Sequence, residues 1–419
     1  MTMILLLMPT YETKAQEDVY MKIQSGGFQP IRISIPMFSF IQPTDLSQDL
    51  HQIVVNDLEL SGFFRIVSSA HQGSANSAEN GEPGNPAAEV ELEAQLALNS
   101  SKLMLSAQLK ELPGQQTIFN KEFDSPLDKM RWLGHRLADE VVYYLVGERG
   151  IASSKIAFAT GKKMKREIAI VDYDGHNLRK LTDTNALNIS PTWSPQGDYL
   201  LFTSFISGNP DLVKMNMDSG KLNWIGERKG LHSAPAWSTE RNRIAITFSA
   251  NGNPDIYTMD PDGGNWLRLT QSPAIDSSPS WSPTGNQIAF TSDRSGNPQI
   301  YIMDAEGGNV RRLTFQGTYN DSPAWSPRGD RIAFVSREEG RFQIYTISVN
   351  GENLQQVTDG TGNNENPSWS PNGLKLAFAS DRTGSWNIYV INWDGTHLRS
   401  VTDSGENVTP EWSPRMQLK

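Results

Sequence analysis

Short apolar runs separated by polar turns recur at a fixed period through the second half of the chain. Each period holds one tryptophan in the same frame, and successive tryptophans are 44, 44, 44, 44 and 43 residues apart. Between tryptophans come apolar runs such as Ile288–Ser292, Ile300–Asp304 and Arg312–Thr314. Together with the tryptophan segment, this pattern predicts four short β-strands per repeat, joined by hairpin turns. The tryptophans are Trp193, Trp237, Trp281, Trp325, Trp369 and Trp412.

A four-stranded repeat of this length is typical of a β-propeller blade. The two ends of the repeat region complement each other, because Ile156-Ala157-Phe158 lacks a tryptophan strand before it and Trp412 has no strand after it. Pairing these ends completes one blade, closes a ring of six and removes free sheet edges. We therefore predict an all-β six-bladed β-propeller over residues 151–419. Recurrence at one interior frame favours blade packing over carbohydrate stacking as the role of the tryptophans.

Propeller topology places the tryptophan strand innermost, so the loops before it and the loops after the second strand share one face, which we call the mouth. The mouth carries polar triplets such as Asp276-Ser277-Ser278, and the opposite face carries the Ser-Pro-x-Gly turns. Two Asp-Arg pairs, Asp293-Arg294 and Asp381-Arg382, are also expected at the mouth. The sequence leaves open whether these pairs hold a ligand or cap a turn.

A smaller α+β domain is predicted ahead of the propeller, over residues 17–150. Its strands are recognised by alternating apolar residues and its helices by apolar residues at helical spacing. Proline at the first position of the final helix suits the missing N–H. Strands are predicted at Ile31–Ile35, Phe63–Val67, Val90–Leu98, Leu103–Leu109 and Thr117–Phe123, and helices at Asp45–Leu60 and from Pro126 to Leu145.

Residues 1–16 resemble a truncated signal peptide. Ile4 to Met8 is apolar, and Thr13-Lys14-Ala15 before Gln16 resembles a small-residue cleavage site. A basic leading region and a longer apolar run, which a signal peptide needs, are missing. The alternative is a terminus of no function.

Composition excludes several classes of function. Lys+Arg total 37 against 47 Asp+Glu, a formal charge of −10 without a basic block, which disfavours nucleic acid as a partner. Cysteine is absent, so disulfides, thiolate metal sites and cysteine nucleophiles are excluded. The hydrophobic fraction is 37% and the apolar runs are short, so we expect no membrane-spanning segment.

The motifs form no catalytic constellation. The six histidines lack metal-ligand spacing, and neither a G-x-S-x-G elbow nor a P-loop occurs. Asp172-Tyr173-Asp174-Gly175 faintly resembles a calcium loop, but Asp260-Pro261-Asp262-Gly263 and Asn392-Trp393-Asp394-Gly395 occupy the same repeat position. A recurrent tight turn is therefore the favoured interpretation. We expect no catalytic residue, no metal and no cofactor.

The repeats resemble those of the TolB family, the periplasmic component of the Tol-Pal system of Gram-negative bacteria. The motifs concerned are Pro-x-Trp-Ser-Pro-x-Gly, Ile-Ala-Phe-x-Ser-Asp-Arg and Ile-Tyr-x-Met-Asp. Such repeats also occur in unrelated peptidases, but the leading domain makes the resemblance more specific. The repeat around Trp237 departs from the pattern at Thr239-Glu240, and the first repeat has Thr160-Gly161-Lys162 in place of Ser-Asp-Arg. Leading segments that resemble TolB are Tyr20–Gly26, Ile31–Phe38, Ile53–Phe64 and Trp132–Val141.

This resemblance implies a non-enzymatic periplasmic scaffold that works next to the outer membrane. It would maintain outer-membrane integrity and help to invaginate the outer membrane during cell division. Two partners are implied, the lipoprotein Pal at the mouth and TolA at the N-terminal segment, and we expect a monomer. The Pal-binding residues are predicted to be His232, Ser233, Ala234, Asp276, Ser277, Ser278, Asn320, Asp321, Asn364 and Glu365. The TolA-binding residues are predicted to be Glu17, Asp18, Val19, Tyr20, Met21 and Ile23.

Two other hypotheses stay open at the level of sequence. The chain could be the non-catalytic propeller region of a peptidase or another hydrolase, but the leading domain contains no serine elbow with a partnered histidine. A weaker hypothesis is a metal-dependent, lactonase-like propeller, which would need inward-facing carboxylates and histidines around the channel.

Overall fold

The computed structural model describes residues 29–40, 46–67, 87–112, 114–226, 228–250 and 252–417. Two compact units make up the chain, and the main boundary falls between Arg149 and Gly150. The first unit is α+β and the second is all-β. No helix in these ranges has both the length and the apolar character needed to cross a membrane.

One mixed sheet and two helices form the first unit. The strand order is β3-β1-β4-β5-β6, with β2 pairing to β4 as well. The pairs of β1 with β3 and with β4 are parallel, whereas β4, β5 and β6 are antiparallel neighbours. The elements are β1 (Ile31–Ser34), β2 (Ser39–Phe40), α1 (Leu46–Ser61), β3 (Phe64–Val67), β4 (Val90–Asn99), β5 (Lys102–Glu111), β6 (Thr117–Pro126), a 3₁₀ turn (Leu127–Lys129) and α2 (Met130–Val146).

The two helices of this unit pack closely against each other. A Cβ atom added to Gly134 of α2 would lie 2.7 Å from Cγ2 of Ile53 in α1, so the approach requires glycine. One residue further on, Nδ1 of His135 lies 2.6 Å from Oδ2 of Asp57, and both side chains are buried. The contact therefore combines apolar packing with one buried polar pair.

The final helix starts later than its proline suggests. Pro126 has φ −57° and ψ 151°, an extended conformation, and it still pairs with Lys102 as the last residue of β6. The 3₁₀ turn follows, and α2 begins only at Met130. The prediction that Pro126 occupies the first helical position is wrong, because strand pairing extends through the proline. The helix ends at Gly147, whose φ of 75° lets its N–H donate to the carbonyl of Tyr143.

Six four-stranded sheets form the second unit over its described residues, and each begins with a tryptophan strand. The blades, written from the tryptophan strand outward, follow in order around the ring. Blade 1 is β30 (Asn407–Trp412), β7 (Lys155–Thr160), β8 (Glu167–Asp172) and β9 (Arg179–Lys180). Blade 2 is β10 (Asn188–Trp193), β11 (Tyr199–Ser204), β12 (Asp211–Asn216) and β13 (Leu222–Ile225), and blade 3 is β14 (Leu231–Trp237), β15 (Ile244–Ser249), β16 (Asp255–Met259) and β17 (Leu267–Arg268). Blade 4 is β18 (Asp276–Trp281), β19 (Gln287–Ser292), β20 (Gln299–Asp304) and β21 (Arg311–Arg312). Blade 5 is β22 (Asn320–Trp325), β23 (Arg331–Glu338), β24 (Arg341–Ser348) and β25 (Gln355–Gln356). Blade 6 is β26 (Asn364–Trp369), β27 (Lys375–Ser380), β28 (Asn387–Asn392) and β29 (Arg399–Ser400).

The ring is closed by strands from opposite ends of the repeat region. In blade 1, β30 pairs antiparallel with β7, and Trp412 lies opposite Ile156. Beyond the strand, Oγ of Ser413 accepts from the backbone N–H of Lys155 at 2.8 Å. The predicted fold, an α+β domain followed by a six-bladed propeller closed in this way, is confirmed.

The tryptophan strands are innermost, as predicted, because each of them contacts the tryptophan strands of both neighbouring blades. Indole N–H groups bond across these contacts. Nε1 of Trp281 donates to the carbonyl of Ala236 at 3.2 Å, and Nε1 of Trp369 donates to that of Ala324 at 2.9 Å. The pattern explains the fixed frame: the tryptophan fills the space between two blades, and the indoles of Trp193, Trp281 and Trp369 also donate to the inner strand of the preceding blade.

The residues that directly precede the six tryptophans form a ring of equivalent positions on the inner strands. One of them has an ionisable side chain. The ring position is held by Thr192, Ala236, Ser280, Ala324, Ser368 and Glu411. Oγ of Ser368 donates to Oε2 of Glu411 at 2.9 Å and accepts from the N–H of Trp412 at 2.9 Å. Burial raises the pKa of Glu411 to about 7, against the opposing effect of hydrogen bonds from Ser368 and Thr192.

The indole bond should be measurable in a matched pair of variants. Trp281 and Trp325 are both 8% exposed, but among the described residues Nε1 of Trp325 has no hydrogen-bond partner. Trp281→Phe should therefore lower the free energy of unfolding by about 1 kcal/mol more than Trp325→Phe does, because it leaves the Ala236 carbonyl without its donor. Urea unfolding of both variants provides the measurement. Equal losses would contradict the role given to the indole bond.

The carboxyl group of Glu411 should make stability depend on pH. Its folded pKa of about 7 exceeds the ordinary 4.5, so between these values the unfolded chain ionises while the folded chain keeps its proton. Wild-type stability should therefore fall as pH rises through this window. Glu411→Gln, which stays neutral, should match the wild type at pH 4 and exceed it at pH 8 by about 3 kcal/mol. Urea unfolding at both pH values tests this, and equal stability at pH 8 would refute it.

Candidate functional site

Three consecutive residues near the start of each inner strand line the mouth. We call them the first, second and third mouth positions. The first positions are Asn188, His232, Asp276, Asn320, Asn364 and Asn407. The second are Ile189, Ser233, Ser277, Asp321, Glu365 and Val408, and the third are Ser190, Ala234, Ser278, Ser322, Asn366 and Thr409.

A β-bulge interrupts every inner strand at the mouth. The strand register shifts after the second position in all six blades, for example between Ser277 and Ser280. The third positions are not glycine, yet all have φ between 47° and 55°. A proline such as Pro279 follows each of them, and its missing N–H suits a bulge where no ladder bond forms. The bulge therefore bends the backbone at the second and third positions in the same way six times.

The first positions are buried and bond to the preceding blade. All six are at most 1% exposed. In blade 5, Nδ2 of Asn320 donates to Oε1 of Gln299 at 2.9 Å, and Oγ1 of Thr314 donates to the same oxygen at 2.8 Å. Blade 6 repeats this arrangement with Asn364, Gln343 and Thr358. This polar junction joins the third strand of one blade to the inner strand of the next.

Two first positions contact side chains of their own blade. The His232 ring packs against the rings of Phe248 and Trp266 at centroid distances of 4.9 and 5.7 Å, and burial lowers its pKa. Asp276 instead accepts two bonds from Nη2 of Arg294, at 2.9 and 3.0 Å. The side chains of His232, Asp276, Asn320 and Asn364, all predicted as site residues, therefore lie within the blade framework.

The second and third positions are half-buried, so part of each faces the mouth. Asp321 accepts from Oγ1 of Thr291 at 2.8 Å and from Oη of Tyr319 at 3.0 Å. Burial, and then the carboxylates of Asp381 and Asp321, raise the pKa of Glu365. Burial and Asp321 also raise the pKa of Tyr319 to about 12. This sector of the mouth, on blades 5 and 6, is acidic.

Each Asp-Arg pair bonds to the residues at the start of the inner strand of its own blade. Nε of Arg294 donates to Oγ of Ser292, and its Nη2 contacts Asp276. Oδ1 of Asp293 accepts from the N–H of Ile275 at 2.8 Å. Asp381 and Arg382 make the equivalent bonds to Asn363 and Asn364. These bonds join the loop after the second strand to the start of the inner strand in the same blade.

The calcium-like segment on the opposite face is a turn, as expected. The N–H of Gly175 donates to the carbonyl of Asp172 at 2.9 Å, and Gly175 has φ 93°. Oδ2 of Asp172 accepts from Nδ2 of Asn177 at 2.7 Å. The same backbone bond joins Gly263 to Asp260 and Gly395 to Asn392.

The structure brings all ten predicted Pal-binding residues to the mouth but divides them by burial. Six are half-buried and four lie inside the junctions. Sequence reasoning missed the bulges, although a proline inside each inner strand was a signal for them. The predicted TolA-binding residues, Glu17, Asp18, Val19, Tyr20, Met21 and Ile23, lie outside the described residues.

Comparison with known families agrees with this architecture. The model of the TolB beta propeller domain matches residues 143–344 and 319–418, and that of the TolB amino-terminal domain matches residues 19–91. The Tol-Pal system protein TolB of Dinoroseobacter shibae is 34% identical over 226 residues, which is 49% of each chain. The protein TolB homolog of Chlorobium chlorochromatii is 34% identical over 215 residues, again 49% of each chain. The chain thus spans about half the length of the curated relatives it matches.

A solved structure extends the similarity across both units. The crystal structure of TolB from Acinetobacter baumannii matches with a TM-score of 0.79 at 28% identity, covering 92% of this chain and 97% of that one. Because the propeller model alone matches well over half of the sequence, the chain belongs to the TolB family.

Proposed function

We propose that this chain is a non-enzymatic scaffold of the Tol-Pal system. It binds the lipoprotein Pal at the mouth and TolA through its N-terminal segment. It acts as a monomer in the periplasm, next to the outer membrane, where it maintains outer-membrane integrity and supports outer-membrane invagination during cell division. Curated relatives named as Tol-Pal system proteins support a role in that system. The half-buried residues at the mouth support the binding of a partner there.

The proposal rests on the difference in burial between the first mouth positions and the second and third mouth positions. Buried first positions hold the inner strands together, while the bulges present half-buried second and third positions. A framework fixed in this way loses little conformational freedom when a partner docks. Short side chains such as Ser277 and Ser278 leave room for a partner's backbone and side chains over the channel.

Within the predicted Pal-binding set, the two groups of residues have different roles. We assign partner contacts to the half-buried Ser233, Ala234, Ser277, Ser278, Asp321 and Glu365. His232, Asp276, Asn320 and Asn364 support those contacts by fixing the strands from which they project. Substitutions in the first group should change affinity alone, whereas substitutions in the second group should also change stability.

Large side chains placed at the mouth should weaken the binding of Pal. Ser278→Arg and Ala234→Trp each keep a non-glycine residue at a third position and place a large side chain over the channel. Each should weaken Pal binding at least tenfold, which corresponds to about 1.4 kcal/mol. Titration calorimetry with the purified soluble domain of Pal measures the affinity. Ser219→Arg, on an exposed turn between β12 and β13 at the opposite face, is the matched control and should bind normally. Wild-type affinity in both mouth variants, each still folded, would refute the Pal site.

Deletion of residues 17–25 should abolish TolA binding. The segment carries the TolA-binding residues implied by the family resemblance, and it precedes the propeller in the chain, so propeller stability should be unchanged. Pull-down with purified TolA domains and thermal unfolding provide the two measurements. We also expect Pal and TolA affinities to be coupled by the same factor in both directions. A deletion variant that captures TolA with wild-type affinity would rule out this segment as the contact.

A further inference from the structure

The residue just before each first mouth position also has an equivalent place in every blade. We call these the rim positions. Where the bond is present, a residue at or just after the end of the second strand donates its N–H to the rim carbonyl, as Phe205 does to Leu187 at 2.9 Å and Arg337 does to Tyr319 at 3.1 Å. Matching bonds join Asp293 to Ile275, Asp381 to Asn363 and Gly161 to Glu406. The rim positions are Leu187, Leu231, Ile275, Tyr319, Asn363 and Glu406.

Side-chain chemistry divides this ring into two sectors. Blades 2 to 5 carry Leu187, Leu231, Ile275 and Tyr319, which are aliphatic or aromatic, and we call these four the apolar arc. Blades 6 and 1 carry the polar Asn363 and Glu406. Leu231 is 53% exposed and Ile275 is 50% exposed, while Leu187 and Tyr319 are half-buried.

The arc spans four consecutive blades and extends outward. The inner strands β10, β14, β18 and β22 contact one another in this order, so their rim residues are neighbours around the channel. Ile206, in the loop between β11 and β12, and Phe315, between β21 and β22, end on the same face and are 43% and 74% exposed. Single exposed apolar residues are ordinary, but a contiguous patch on one face is typical of an interaction site.

The opposite sector differs in charge. Asp321, Glu365, Asp381 and Glu406 lie on blades 5, 6 and 1, and Tyr319 marks the border by donating its hydroxyl hydrogen to Asp321. A mouth with six equivalent blades would present six nearly identical orientations to a docked partner. An apolar arc on blades 2 to 5 and an acidic sector on blades 5, 6 and 1 favour one orientation, which buries apolar surface without burying unpaired carboxylates.

We propose that the apolar arc is a docking surface for an apolar patch of the partner that binds at the mouth, and that it fixes the partner's rotation about the channel axis. This inference rests on the proposed function, in which Pal occupies the mouth. Continuity of the arc with the second and third mouth positions favours that partner as the occupant. A second copy of this chain is disfavoured, because pairing two mouths would bring two acidic sectors of a chain of formal charge −10 close together.

A double variant tests the arc without altering the mouth positions. Leu231→Ser combined with Ile275→Ser removes two half-exposed apolar side chains, so the fold should be retained, as thermal unfolding can verify. The control is Leu178→Ser combined with Leu398→Ser, which lie 52% and 38% exposed next to β9 and β29 at the opposite face. Both double variants and the wild type are titrated with the soluble domain of Pal by calorimetry at three temperatures.

We expect the arc variant to bind at least tenfold more weakly, with a less negative heat-capacity change, because less apolar surface is buried. The control variant should match the wild type in both quantities. Wild-type affinity and heat capacity in the folded arc variant would overturn the docking role of the arc while leaving Pal at the mouth. Absence of binding by the wild type would overturn the proposed function and this inference together. Self-association of the wild type that the arc variant loses would assign the arc to a second copy and also overturn the inference.

Discussion

The antiparallel pair of β30 and β7 is the constraint on which the propeller depends. It joins Asn407–Trp412 to Lys155–Thr160 across the whole repeat region, and closing so long a loop costs about 5 kcal/mol of chain entropy. The strand ladder, the bond from Lys155 to Ser413 and the contacts of Trp412 with neighbouring blades offset this cost. Without the pair, blade 1 would lack its inner strand and blades 2 and 6 would each lose a neighbour. The inner-strand contacts of blade 1 with blades 2 and 6 thus depend directly on one non-local pairing.

Closure also determines the geometry of the mouth. The polar junctions, and the indole bonds where they are present, connect inner strands to adjacent blades, so those that cross the boundaries of blade 1 can form only when the ring is complete. Residues in these bonds vary little in chemistry from blade to blade: amides and carboxylates occupy five of the six first positions. The residue types at the second mouth positions and at the rim positions range from isoleucine to glutamate. Repetition therefore coincides with burial, and variation coincides with exposure.

This distinction explains what the sequence could predict. The period of the tryptophans and the unmatched ends at Ile156 and Trp412 predict six blades and their closure, because strand pairing and burial leave strong periodic patterns. Burial at the first positions was not predictable from their polar character, since the partner of Asn320 is Gln299, in the adjacent blade. The start of α2 was predicted wrongly at Pro126, because local preference for proline in the first helical turn was outweighed by pairing with β5. Tertiary partners decided each of these cases.

Different residues stabilise the blades and line the exposed part of the mouth. Under the proposed function, substitutions at the mouth could therefore alter which partner is bound without disrupting the blades. Some mouth side chains bond to the bulge backbone, as Asp321 does to the N–H of Ser322, but Ser277 and Ile275 project from it at partly exposed positions and can be replaced at little cost to folding. Under the proposed function, affinity and orientation depend on a few half-exposed side chains carried by a repeated framework. The repeat identifies the fold and the family, whereas we expect the departures from sixfold symmetry to determine how the partner binds.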